Sequence, residues 1–221
     1  VKILGFIGRP DAPQAHDGAA SLIIDHKIKF ALEQERLTRH PPGLLTTVAD
    51  FFETDATWDG LTVRVMDLES DRDAFDHCLQ ESSQVDLATG VRVGIGPSMF
   101  FRSHLAQNVA FDEDMGPGAT WVGGEDTDYL LRCLDLKAAI YYNVDFFVRH
   151  PRPQDIYSVR QLIHREFTYG RGCGYLMRKH HATRADVMRE FLVPFWLAVK
   201  YLVTGKFQEA LTCPGMGIAR I

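Results

Sequence analysis

The stretch Trp121-Val-Gly-Gly-Glu-Asp-Thr-Asp-Tyr-Leu-Leu-Arg132 constrains this chain more than any other. Two glycines let backbone turn sharply and come close to a neighbour, and acids directly after them suit a helix N-terminus, where the dipole favours negative charge. Tyr129, Leu130, Leu131 and Leu134 then give that helix an apolar side. The segment is expected to pass from a glycine loop into a half-buried helix that opens with Glu125 and Asp126. Taken alone it also reads as a capped surface helix with solvated acids, so its neighbours have to decide what it does.

A chain of 221 residues is enough for one large domain or one and a half small ones. Hydrophobic content of 46% with 24% charged is globular composition. A net charge of −5 gives no electrostatic case for nucleic acid as a partner. The charge is unevenly placed: acids dominate from Asp50 to Asp86, and Arg149 to Lys206 is basic. That basic part suits phosphates, an anionic membrane surface or plain water. Cys78, Cys133, Cys173 and Cys213 lie far apart without a C-x-x-C pair, which makes no zinc site by spacing and suits a reducing compartment. The apolar start Val1–Gly8 is too short for a signal peptide and turns polar at Arg9-Pro10. The expected location is cytoplasmic, peripheral at the inner face of the membrane if the tail touches one. Val1 rather than Met opens the chain, so the natural N-terminus is expected upstream.

Residues 1–40 read as a small β unit. Ile3–Ile7, Ala20–Ile24 and Ile28–Leu32 are predicted strands, with Asp25-His26-Lys27 as a tight turn between the last two. The pieces Ile3-Leu-Gly, His16-Asp17-Gly-Ala-Ala20 and Glu33-Gln-Glu-Arg36 with Arg39 resemble the amino terminus of carbamoyltransferases of the nodulation and cephamycin/tobramycin type. The resemblance implies a domain that handles nucleotide and carbamoyl phosphate, with His16 as base or ligand, over about 40 residues, too few to build that active site. Without it, His16 is a loop histidine beside an aspartate.

His40-Pro41-Pro42-Gly43 marks a junction. Residues 43–53 carry Leu44, Leu45, Val48, Phe51 and Phe52 at helical spacing, and Leu61–Met66 alternates as a strand does. The acidic segment 68–89 reads as a loop with room for one helix. Val91–Arg102 reads as a strand, a Gly-Pro turn and a second strand, Phe111–Gly118 as a turn-rich loop, and 138–142 and 144–148 as two further strands closed by Arg149-His150-Pro151. The tail 155–221 is helical. Its apolar run Phe191–Val203 is interrupted by Pro194 and Lys200 and falls short of the roughly 18–20 apolar residues of a membrane span. It reads either as a helix packed on the body or as a helix lying in a membrane interface.

The order of these pieces resembles the second half of a family 2 glycosyltransferase. The residues that carry the likeness are Ser98-Met-Phe-Phe-Arg102, Phe111-Asp112-Glu113 with Gly116 and Gly118, Gly124-Glu125-Asp126-x-Asp128 with Arg132, Ile140-Tyr-Tyr leading to Val148-Arg-His150, and Tyr169-Gly-Arg-Gly-Cys-Gly174. The resemblance covers about 43–221. It implies an α/β fold with a partial GT-A-like mixed sheet, an N-terminal β-hairpin unit and a C-terminal helical tail. The expected domains are 1–40, 41–154 and 155–221. The implied activity is inverting transfer from a nucleotide-sugar to a hydroxyl of a glycan or lipid acceptor. Asp126 would be the base, Glu125 would orient the acceptor, and Ser98, Met99, Gly124 and Arg171 would contact substrate. His150 would touch the diphosphate or ligate a divalent metal, Mg or Mn; its alternative is a strand-end histidine. Arg171 would meet phosphate; its alternative is a residue in a glycine-rich bend. Asp128 is expected to cap the helix.

The donor-binding half of such an enzyme, with its Asp-x-Asp, is expected before Pro41, where the carbamoyltransferase-like hairpin stands instead. Asp71-Arg-Asp73 has the letters but lies downstream of the expected place. The chain is therefore expected to be truncated or fused, with weak or no transfer unless a partner chain supplies the other half. A carbamoyltransferase remnant and a non-catalytic membrane-associated module are the alternatives.

Overall fold

The computed structural model describes residues 2–7, 19–24, 27–32, 44–75, 78–207 and 210–212. The chain forms two units, one of Val1–Phe111 with Asp126–Pro151 and one of Asp112–Glu125 with Arg152–Ile221. The hairpin shares a sheet with the body, and the 112–125 loop goes with the tail.

The first unit is α/β. Its strands are β1 (Lys2–Ile7), β2 (Ala19–Ile24), β3 (Lys27–Leu32), β4 (Gly60–Asp67), β5 (Ser83–Gln84), β6 (Met99–Arg102) and β7 (Ile140–His150). They lie in the order β3-β2-β1-β6-β4-β7-β5. β4 runs parallel to β7 and antiparallel to β6, so β6, β4, β7 and β5 form an open mixed sheet. β1 extends it along β6 through Ile3↔Arg102 and Leu4↔Phe101. The three strands of the hairpin bring the sheet to seven. The loop around His16 and Asp17 lies outside the described residues, as does the turn at 25–26.

Burial follows the period-two alternation of the strands. Leu61, Val63 and Val65 pack with Phe100 and Val148 against Leu44, Val48, Ala49 and Phe52 of α1 (Leu44–Thr54). On the opposite face, Met99, Phe101, Ile140 and Tyr142 pack with Val93 of α2 (Leu87–Val93), Leu105 of α3 (Ser103–Asn108), and Tyr129, Leu130 and Cys133 of α4 (Glu125–Asp135). Each fully buried Leu or Phe here contributes about 1.5–3 kcal/mol. Arg102, at the end of β6, donates to the carbonyls of Phe52, Asp55 and Trp58, and its guanidinium lies 5.0 Å from the centre of the Phe52 ring.

Two local expectations are corrected. Residues 91–93 are helix rather than strand, because Asp86 and Thr89 form a reciprocal cap, each side chain accepting the other's backbone N–H at 2.7 and 2.8 Å. The two strands expected at 138–148 are one strand whose pairing with β4 jumps from Val63↔Asn143 to Arg64↔Phe147. The Asn143 side chain accepts from the N–H groups of Asp145 and Phe146 and holds the extra residues in a turn.

The second unit contains α5 (Pro153–Ile156), α6 (Val159–Lys179) and α7 (Arg184–Val203). Ser158 with Gln161 opens α6 and Thr183 with Asp186 opens α7, both as reciprocal caps. Tyr169–Gly174, for which a glycine-rich bend is the alternative reading, lies inside α6. A Cβ on Gly172 would stand 2.2 Å from the Val122 carbonyl oxygen and 2.3 Å from that of Gly123, so glycine is what lets this helix lie on the 122–123 backbone. α7 buries Pro194, Ala198 and Tyr201 and leaves most of its large apolar side chains exposed. Among the described residues no helix is long and apolar enough to cross a membrane.

Candidate functional site

Within the first unit, Asp126 stands in the first turn of α4 facing the loop at Gly94–Ser98. Its Oδ2 accepts the Gly96 N–H at 2.8 Å, and the Thr127 hydroxyl donates to the Gly94 carbonyl at 3.0 Å. A Cβ on Gly96 would come within 2.6 Å of that carboxylate oxygen, so the loop's glycine leaves the acid room to sit there. Asp126 is half-buried. The N-terminal turn that carries it favours negative charge.

The other acids of the motif are placed differently. Asp128 lies in the second turn of the helix. It is fully buried and accepts from Arg132 Nε at 2.8 Å, an i,i+4 pair along α4, because position 128 turns into the core beside Tyr129 and Leu131. Tyr129 stacks on Phe111 and meets Phe101 edge-on, and burial pushes its phenol well above the ordinary range. Burial likewise pushes the Cys133 thiol up to about 12, which makes it a core residue rather than a nucleophile.

The side chains of Ser98 and Met99 are buried. The Ser98 hydroxyl is fully buried and donates to the Ile95 carbonyl at 2.8 Å, while Met99 sits in the core cluster beneath α4. What this segment brings to Asp126 is backbone, through the Gly96 N–H.

His150 ends β7 opposite Asp67 of β4. Its ring lies 5.9 Å from that of Phe75, and Nδ1 is 2.7 Å from the Pro151 carbonyl. The neighbouring carboxylates are engaged. Asp73 pairs with Arg64 and Gln80, Asp71 with Arg149, and Asp67 accepts from Ser70. Among the described residues no three His, Cys, Asp or Glu side chains converge as a metal would require.

Within the second unit, the loop 112–125 leads into Glu125. Met115 bridges Trp121, and Gly123 and Gly124 both take φ of +87°, a left-handed conformation that the paired glycines supply. α6 holds this loop from one side. Tyr175 stacks on Trp121 at 5.1 Å and 9°, Arg171 lies one turn earlier with its guanidinium 5.5 Å from the Trp121 ring, and Lys179 pairs with Asp112 at 2.5 Å. Arg171 is exposed on this helix, so its alternative as part of a bend is set aside. The Glu125 carboxyl lies against Gly116, and its Oε2 is buried without a hydrogen-bond partner among the described residues. Burial raises its pKa above the ordinary value, so the group leans toward its neutral form.

The sequence places Glu125, Asp126 and Gly124 in one short motif but does not announce the Trp121–Tyr175–Arg171 stack. Its only local signal is Arg171 and Tyr175 four apart on a helix, and the partner loop lies some fifty residues upstream. No family model and no curated protein sequence matches the chain.

Proposed function

We propose that the chain carries the acceptor-side chemistry of an inverting, family 2-like glycosyl transfer, with Asp126 as the base that takes the proton from an acceptor hydroxyl. The observation that carries this reading is the half-buried Asp126 carboxylate in the first turn of α4, oriented by the Gly96 N–H at 2.8 Å. A carboxylate steered by a backbone amide keeps one geometry for receiving a proton, which general-base catalysis requires. The α/β body with a mixed sheet fits the GT-A-like arrangement that the sequence resemblance implies.

Glu125, next to Asp126 in the motif, would orient the acceptor. Arg171, exposed beside Trp121, would meet the charged part of a nucleotide-sugar. The divalent metal that the resemblance implies does not fit the described acids near His150, which are committed to Arg64, Arg149 and Ser70, so no step is routed through it.

The test is release of nucleotide from a panel of nucleotide-sugars, with and without hydroxyl acceptors. Acceptor-dependent release, slow in the wild type, is expected to fall roughly a hundred- to ten-thousand-fold in Asp126→Asn. The variant keeps an oxygen for the Gly96 N–H and is expected to unfold at the same temperature. Release that ignores this change, or that needs no acceptor, sinks the assignment.

A further inference from the structure

Helix α7 is turned inside out. Leu192, Trp196, Val199 and Val203 recur at spacings of four, three and four, which puts them in one stripe, and all are exposed, Trp196 at 63% and Val203 at 82%. The side it buries holds the smaller set Pro194, Ala198 and Tyr201. Two cations share the outward half of the helix. Lys200 is exposed with Nζ 5.7 Å from the Trp196 ring centre, and Arg189 lies 3.5 Å from both Asp186 and Glu190.

Apolar residues facing water, with a tryptophan among them and long cations at the rim, are the make-up of a helix lying in a lipid interface. The apolar side chains enter the acyl boundary, the indole sits at headgroup depth, and Lys and Arg reach back to phosphate. Charge selects the occupant. From Arg152 to Lys206 the chain has ten Lys and Arg against four Asp and Glu, within a protein whose net charge is −5. Such a segment is drawn to an anionic surface. With no described helix able to span a bilayer, α7 has to lie in its plane.

We infer that α7 docks the protein on an anionic lipid bilayer, with Leu192, Trp196, Val199 and Val203 inserted and Lys200 and Arg189 on headgroup phosphates. This surface goes beyond the glycosyl-transfer reading and stands without it.

The full chain is sedimented with vesicles of phosphatidylcholine alone and with vesicles of equal parts phosphatidylcholine and phosphatidylglycerol. Binding is expected to the second and to weaken with salt. Lipids brominated in the acyl chain are expected to quench tryptophan fluorescence in the wild type and not in Trp196→Phe. Val199→Asp, at an exposed position, is expected to weaken partitioning about tenfold or more, and Lys200→Gln roughly fivefold. Circular dichroism and thermal unfolding check that both variants keep the helix. No binding to anionic vesicles overturns the inference, and so does binding that both variants leave unchanged. A dimer that Val199→Asp dissociates, in a protein that ignores vesicles, assigns the stripe to a second copy and overturns it equally.

Discussion

Helices α4 and α7 distribute apolar residues in opposite ways. α4 has eleven residues and buries Asp128, Tyr129, Leu130, Leu131 and Cys133, drawing even a carboxylate into the interior. α7 has twenty and buries only Pro194, Ala198 and Tyr201. Composition would rank them the other way, since α7 is the more hydrophobic sequence. Apolar content says what a helix needs to cover; the pattern of partners says whether the protein covers it.

The largest expected contrast comes from equivalent truncations in the two helices. Leu130→Ala removes a fully buried side chain from the core and is expected to cost about 2–5 kcal/mol, whereas Leu192→Ala, at an exposed position, is expected to stay within about 0.5 kcal/mol. Urea unfolding of both variants measures the difference, and equal losses would mean that α7 is packed after all. Next comes Gly172→Ala. Its Cβ would collide with two backbone carbonyls that cannot rotate away, so a loss of about 1–3 kcal/mol is expected in spite of alanine's better helix propensity. A stabilised variant would show that α6 does not lie on the 122–123 backbone.

The smallest effect concerns pH. Burial raises the folded-state pKa of Glu125, so the native state holds its proton to higher pH than the unfolded chain does. The stability this contributes is complete below the unfolded value of about 4.3 and is lost as pH rises through the folded one. Glu125→Gln cannot titrate. Unfolding curves taken from acid to neutral pH are expected to show the wild type losing stability relative to the variant as pH rises. Parallel profiles would place this carboxyl in water.

Much of the body was legible because its signals are local. Alternation at Leu61–Met66, helical spacing at Leu44–Phe52, and glycines followed by acids at 123–126 each declare an element within a few residues. The segment at 91–93 misled because Val91-Arg-Val93 alternates as a strand does, while the Asp86–Thr89 cap that makes it helical lies just upstream. Asp128 and Arg132 stand at the spacing of an i,i+4 pair, but the burial of Asp128 depends on which side of α4 meets the sheet, and the short motif does not reveal that. At Gly170–Gly174 the helix is held for a non-local reason. A run of glycines reads as a break unless the backbone that Gly172 accommodates is known to be there.

Arg102 has a further consequence, which is temporal. The carbonyl of Phe52, in the last turn of α1, receives its partner from a side chain fifty positions later in the chain. While the polypeptide leaves the ribosome, α1 is complete in sequence long before its end can be tied, and β7, which brings Val148 to the same cluster, arrives only later still. Such distant pairings are slow to close and leave early segments uncovered in the meantime. During synthesis the apolar face of Leu44, Val48 and Phe52 therefore waits uncovered for partners that follow it in the chain.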